Sequence, residues 1–141
     1  MGFFSSSVVS SNGMSVQRQV MDIISENLAN VNTVKSSDGG PYRRKVPVIA
    51  NKDIPLFGEM LGDRIRSVVY VSSIENDTTP PRLDYEPSHP LADERGYVAK
   101  PNINVSLEMV HMIDATRAYE ANVAAFNASK NMGAKALQIG T

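Results

Sequence analysis

All eight prolines of this chain lie between residues 41 and 101, and both ends are free of them. Inside a helix, proline removes a backbone donor and collides with the preceding turn, so long helices are permitted only at the two termini. The chain therefore reads as helix, irregular β-rich centre, helix.

At the front, Met14, Met21 and Leu28 recur every seventh residue, with Ile24 and Val31 between them at the spacing of one helix face. This predicts an amphipathic helix over residues 1–33. Its tail reads ENLANVNT, Glu26 to Thr33, with three asparagines. Asparagine competes for backbone hydrogen bonds and normally marks a turn, yet the helical pattern passes through Asn27 and Asn30. Asn30 and Asn32 fall where an amide can satisfy the last helical carbonyls, before the polar break that ends in Asp38-Gly39-Gly40-Pro41.

At the back, residues 105–141 are dominated by Ala, Met, Glu, Lys and Asn, and predict a helix about 50 Å long from Val105 to Ile139. Asn104 or Ser106 can cap its start, Glu108 stands in the first turn near the positive dipole end, and Gly140 follows its last turn. Met109, Met112, Thr116, Tyr119, Val123 and Phe126 alternate at spacings of three and four, and Leu137 rejoins the series after Lys130 and Gly133. That is the pattern of a coiled-coil seam. Alanines off the seam, Ala115 and Ala118 among them, either reflect helix propensity or allow a second close approach.

The centre, residues 34–104, offers strands at Arg64–Ile74, Tyr42–Ile49 and Arg82–Tyr85. One small sheet around Val46, Val48, Leu56, Phe57, Val69, Val71 and Leu83 is expected. The fold class is α+β: terminal helices pairing as a coiled coil, with a thin β-rich domain between them.

Composition narrows the function. A net charge of -1 gives no global attraction to nucleic acid or anionic lipid, and the absence of cysteine excludes disulfides and thiolate chemistry. No stretch approaches a membrane span, and MGFFSSSVVSS lacks the charged and apolar regions of a Sec signal, so any export is expected to proceed without one. His89, Asp93 and Glu94 share a loop with Asp84 and Glu86, but prolines flank the histidine and no helical ligand pair is present, so no metal is expected there. No nucleophile elbow or phosphate-binding loop is found, and neither an enzyme nor a cofactor is expected. Long terminal helices joined by a centre with little core gain stability most readily by packing against copies of themselves. The competing expectation is a soluble helical adaptor or export chaperone.

ENLANVNT resembles the asparagine-rich signature of the flagellar axial proteins, the rod, hook and hook-associated family whose terminal helices pair. DGGPYRRK at 38–45, SHPLADERGYVAKPNINV at 88–105 and EMVHMIDATRAYEANVAAFNASKNM at 108–132 narrow the resemblance to basal-body proteins of the proximal rod. The resemblance implies a structural subunit exported unfolded through the flagellar type III apparatus and placed in the rod crossing the periplasm. Its implied partners are copies of itself and the rod proteins FlgB, FlgF, FlgG and FliE. Asn27, Asn30 and Asn32 belong to the signature, and with the two seams they form the expected assembly interface. Arg43, Arg44 and Lys45 are candidate cations for an intersubunit contact with Asp93 and Glu94, the alternative being a solvated strand edge.

Overall fold

The computed structural model describes residues 3–36, 39–55 and 65–139. Two long helices, α1 (Phe3–Ala29) and α2 (Val105–Ile139), enclose in sequence four strands: β1 (Lys45–Pro55), β2 (Ile65–Asn76), β3 (Arg82–Tyr85) and β4 (Tyr97–Lys100). Of the expected boundaries, α2 agrees at both ends. Helix α1 stops at Ala29, where the chain tightens into turns through Thr33. Asn104 caps α2, its side-chain oxygen accepting the Leu107 N–H at 3.2 Å.

The helices lie antiparallel. Asn27 near the end of α1 bonds Glu108 in the first turn of α2, and Ser6 near the start of α1 bonds Ser129 at 2.8 Å. Midway, Gly13 stands so close to Asn122 that a Cβ there would lie 2.7 Å from the Asn122 Oδ1. Val16, Ile23 and Ile24 of α1 and Ala115 of α2 are buried.

The centre holds two antiparallel hairpin pairs, β1 with β2 and β3 with β4, where one small sheet was expected. Pro80 and Pro81, between β2 and β3, lack the N–H groups that would carry a ladder from one pair into the other. In the longer pair the register shifts between Val48 and Ile49, where Ser72 bulges and its hydroxyl donates to the Val48 carbonyl at 3.0 Å. In β2, Val68 is buried and Val69 is exposed. Leu56, Phe57, Asp38 and Gly140 lie outside the described residues. Strand β4, between Gly96 and Pro101, was not among the expected strands. Gly96, at φ 80°, turns the chain into it against the Tyr85 ring, and Tyr85 meets Tyr97 edge to face at 5.3 Å.

Candidate assembly site

At the junction of both helices with the centre, Asn27 sits at 1% exposure. Its Nδ2 donates to the Lys45 carbonyl at 2.9 Å and to Glu108 Oε2 at 3.2 Å. Its Oδ1 accepts the Tyr42 hydroxyl at 3.0 Å and the Lys45 N–H at 2.9 Å. Two donors and two acceptor positions are the whole capacity of an amide, so this buried side chain is fully satisfied.

Glu108, also 1% exposed, is held on its other side by Arg44, whose Nε and Nη2 both donate to Oε1 at 2.7 Å. A carboxylate so buried is tolerable only when charge-paired and hydrogen-bonded, and here it is both. Arg44 Nη1 extends to Asp77 at 3.9 Å beyond the end of β2, and Lys45 pairs with Glu26 of α1. Burial, with Glu26 and Glu108 nearby, pushes the Tyr42 hydroxyl up to about 12. The Thr79 side chain and backbone, both donating to Asp77, hold its carboxyl below the usual range. The cluster thus draws on α1, the arm that enters β1, the exit from β2 and the first turn of α2. An open groove of about 550 Å³ runs beside it, lined in part by Glu26, Asn30, Arg43 and Asn102.

The three asparagines divide their roles. Asn27 builds the cluster. Asn30 caps α1, donating to the Glu26 carbonyl at 2.9 Å and accepting the Thr33 hydroxyl at 3.1 Å. Asn32 is exposed.

The helix contact runs elsewhere than the large apolar residues suggest. Met14, Met21 and Leu28 of α1, Val31 in the turn that follows it, and Met112, Tyr119, Val123 and Phe126 of α2 are half-buried. Thr116 is exposed, its hydroxyl donating to the Met112 carbonyl at 2.8 Å with the Met21 sulfur 3.5 Å away, while Met109 and Leu137 are 55% and 78% exposed. Among the α2 residues set against α1 are Glu108, Ala115, Asn122 and Ser129, seven apart. That stripe is small and polar, so a search for apolar periodicity passes over it.

Of the expected intersubunit charges, Arg44 and Lys45 are engaged within the chain. Asp93 accepts the backbone N–H groups of Arg95 and Tyr97 at 2.9 and 2.8 Å. Arg43 and Glu94 remain exposed and without an ion-pair partner among the described residues. No group of three His, Asp or Glu among those residues is placed to hold a metal, and no helix is long and apolar enough to cross a membrane.

Comparison with known proteins matches both helical ends. Residues 8–34 fit the family described as flagella basal body rod protein, and residues 94–139 fit the flagellar basal body rod FlgEFG protein C-terminal family. The flagellar basal-body rod protein FlgC of Borreliella burgdorferi is 45% identical, covering 99% of this chain and 98% of that protein. The FlgC proteins of Bacillus subtilis and Salmonella typhimurium are 40% and 36% identical, over 97% and 94% of this chain and 97% and 93% of their own lengths.

Proposed function

Because the chain belongs to the FlgC family of flagellar basal-body rod proteins, we propose that its paired terminal helices, locked by the Asn27–Glu108 cluster, are the unit that packs into the proximal part of the rod. The chain is a structural subunit of the flagellar rod, located where the rod crosses the periplasm, and it is not an enzyme. Family membership decides for a rod subunit over an adaptor or chaperone.

In this reading residues 1–33 and 105–141 form one helical domain paired as a coiled coil, and residues 34–104 a β-rich domain attached at the cluster. The contacts at 6/129, 13/122 and 27/108, spaced by seven and fourteen residues on both helices, support the coiled coil. Exposed members of the expected interface, Met109, Thr116, Leu137 and Asn32, turn to neighbouring subunits. The half-buried members, Met14, Met21, Leu28, Val31, Met112, Tyr119, Val123 and Phe126, hold the pair and share their outer edges. Ile24, Asn27 and Asn30 keep α1 in register, and Arg43 and Glu94 are free to meet charges on another subunit. Neighbours are copies of the chain and the rod proteins FlgB, FlgF, FlgG and FliE, reached after export of the unfolded chain through the type III apparatus.

The observation that carries this reading is the buried cluster, which ties residues from both ends of the chain and the start of its centre into one rigid junction. A functional epitope-tagged copy should co-purify with isolated basal bodies. A tagged chain that restores swimming yet is missing from them would overturn the reading.

A further inference from the structure

The helix contact leaves no room for a side chain at residue 13 while Asn122 keeps its place. A Cβ there would stand 2.7 Å from Oδ1 and 2.9 Å from both Cγ and Nδ2 of Asn122, which is itself anchored by donating to the Ala118 carbonyl at 2.9 Å. The residue before it is Asn12, half-buried in α1. In no other place in the chain does an asparagine precede a glycine; each of the others is followed by a larger residue, often a β-branched one. Packing at residue 13 thus sets the least hindered kind of backbone nitrogen next to a side-chain amide.

Asparagine is thermolabile because the backbone nitrogen that follows it can attack its carboxamide. The Gly13 nitrogen forms a bond to Cγ of Asn12, the Cγ–Nδ2 bond breaks, and Nδ2 leaves as ammonia carrying the Gly13 amide hydrogen. Water then opens the five-membered imide at either carbonyl, giving isoaspartate or aspartate at residue 12. Nothing is oxidised or reduced, and water is the only co-reactant. Folded α1 blocks the attack in two ways. Within a helix the N–H of residue 13 is committed to the carbonyl of Val9, and the Asn12 Cα–Cβ bond tilts toward the helix N-terminus while the Gly13 nitrogen lies on the C-terminal side. In the unfolded chain both restraints are gone, and glycine there has the widest range of backbone angles.

We infer that Asn12-Gly13 is a self-modification site, open to ring closure and hydrolysis while α1 is unfolded and shut once α1 is helical and packed on α2. The isoaspartyl product carries an extra methylene in the backbone beside the Gly13 contact with Asn122. It breaks the hydrogen-bond spacing of α1 at that point, so the modified chain pairs its helices less well. A chain held unfolded ages at one defined place, and a paired chain is spared. The inference needs only α1 and its contact with α2, and it stands apart from the rod-subunit reading.

The test follows full-length protein at mildly alkaline pH across a series from trimethylamine N-oxide, which favours the compact state, to urea, which opens it. Peptide mapping and labelling by isoaspartyl methyltransferase read the product at residue 12, and hydrogen exchange at the Gly13 amide reads the opening of α1 under the same conditions. In full urea residue 12 should convert faster than any other asparagine, Asn12→Gln should remove the product, and Gly13→Ala should slow the conversion at Asn12. From urea back to trimethylamine N-oxide the rate should fall by the same factor by which the Gly13 amide becomes protected. The purified isoaspartyl chain should unfold at lower urea than the unmodified chain. A rate that stays flat while Gly13 protection changes, faster conversion of another asparagine in full urea, or an isoaspartyl chain that unfolds at the same urea concentration as the unmodified one would each overturn the inference.

Discussion

Asn27 is replaceable by few residues, because all four of its amide positions are occupied while the side chain is buried. An isosteric Asn27→Asp would set a second carboxylate 3.2 Å from Glu108 and remove the donor to the Lys45 carbonyl. Leaving buried groups unpaired and like charges adjacent costs about 3 kcal/mol or more. Adding Glu108→Gln should recover much of that loss, since the new amide can donate to the aspartate. Urea unfolding of the four chains of this cycle measures the coupling, and strict additivity would show that the two side chains do not depend on each other. Tyr42 supplies a pH test. Its folded value of about 12 lies above the ordinary 10.0, so the folded chain holds the proton more tightly than the unfolded chain. The stability it contributes is complete below about pH 10 and is lost as the pH rises through about 12. Ultraviolet titration of the five tyrosines should contain a late-ionising component that Tyr42→Phe removes.

Between the helices, Gly13 and Asn122 form the closest approach available to a test. A Cβ at residue 13 would meet Oδ1, Cγ and Nδ2 of Asn122 at 2.7 to 2.9 Å, and Asn122 is itself tied to the Ala118 carbonyl at 2.9 Å. Alanine gains about 1 kcal/mol of helix propensity over glycine, while displacing the amide forfeits a hydrogen bond of about the same worth and adds strain. Gly13→Ala alone should therefore bring no gain in melting temperature. In an Asn122→Ala background the same change should raise it, because the obstruction is gone. Equal effects in both backgrounds would mean that the two side chains do not oppose each other across the helix contact.

For the whole molecule, Val16, Ile23 and Ile24 of α1 and Ala115 of α2 are buried while Met109, Val110, Ile113, Met132 and Leu137 are left exposed, and in the proposed reading neighbours in the rod cover them. In dilute full-length protein, amides of α1 and α2 should exchange hydrogen much faster than in isolated basal bodies, with the difference concentrated away from the Asn27 cluster. Uniformly slow exchange in a proven monomer would show that the pair is stable without neighbours. Leu28→Asp and Phe126→Asp each set a charge on a half-buried apolar position, at a cost of several kcal/mol once neighbours close over it. Both should leave protein that is made and exported but absent from the rod, and cells that do not swim. Normal motility with either substitution would place those side chains outside every subunit contact.

Proline placement and apolar periodicity in the sequence were enough to determine the helix–centre–helix order, the span of α2, the main strands, and the break after the asparagines, because each is set by neighbours within a few residues. Of the two asparagines expected to satisfy the last carbonyls of α1, Asn30 does so, while Asn32 is exposed. What the sequence left open was decided by contacts between residues far apart in the chain. Nothing local marks Asn27, Tyr42, Arg44 and Glu108 as one buried cluster, since the cost of burying each polar group is met only by the others. Nor does apolar patterning identify the helix contact, where Ala115, Asn122 and Ser129 let the backbones approach and leave Met109 and Leu137 outside. Close packing rewards small side chains and paired amides as well as hydrophobic area, and only the tertiary arrangement tells which of the two a given stripe supplies.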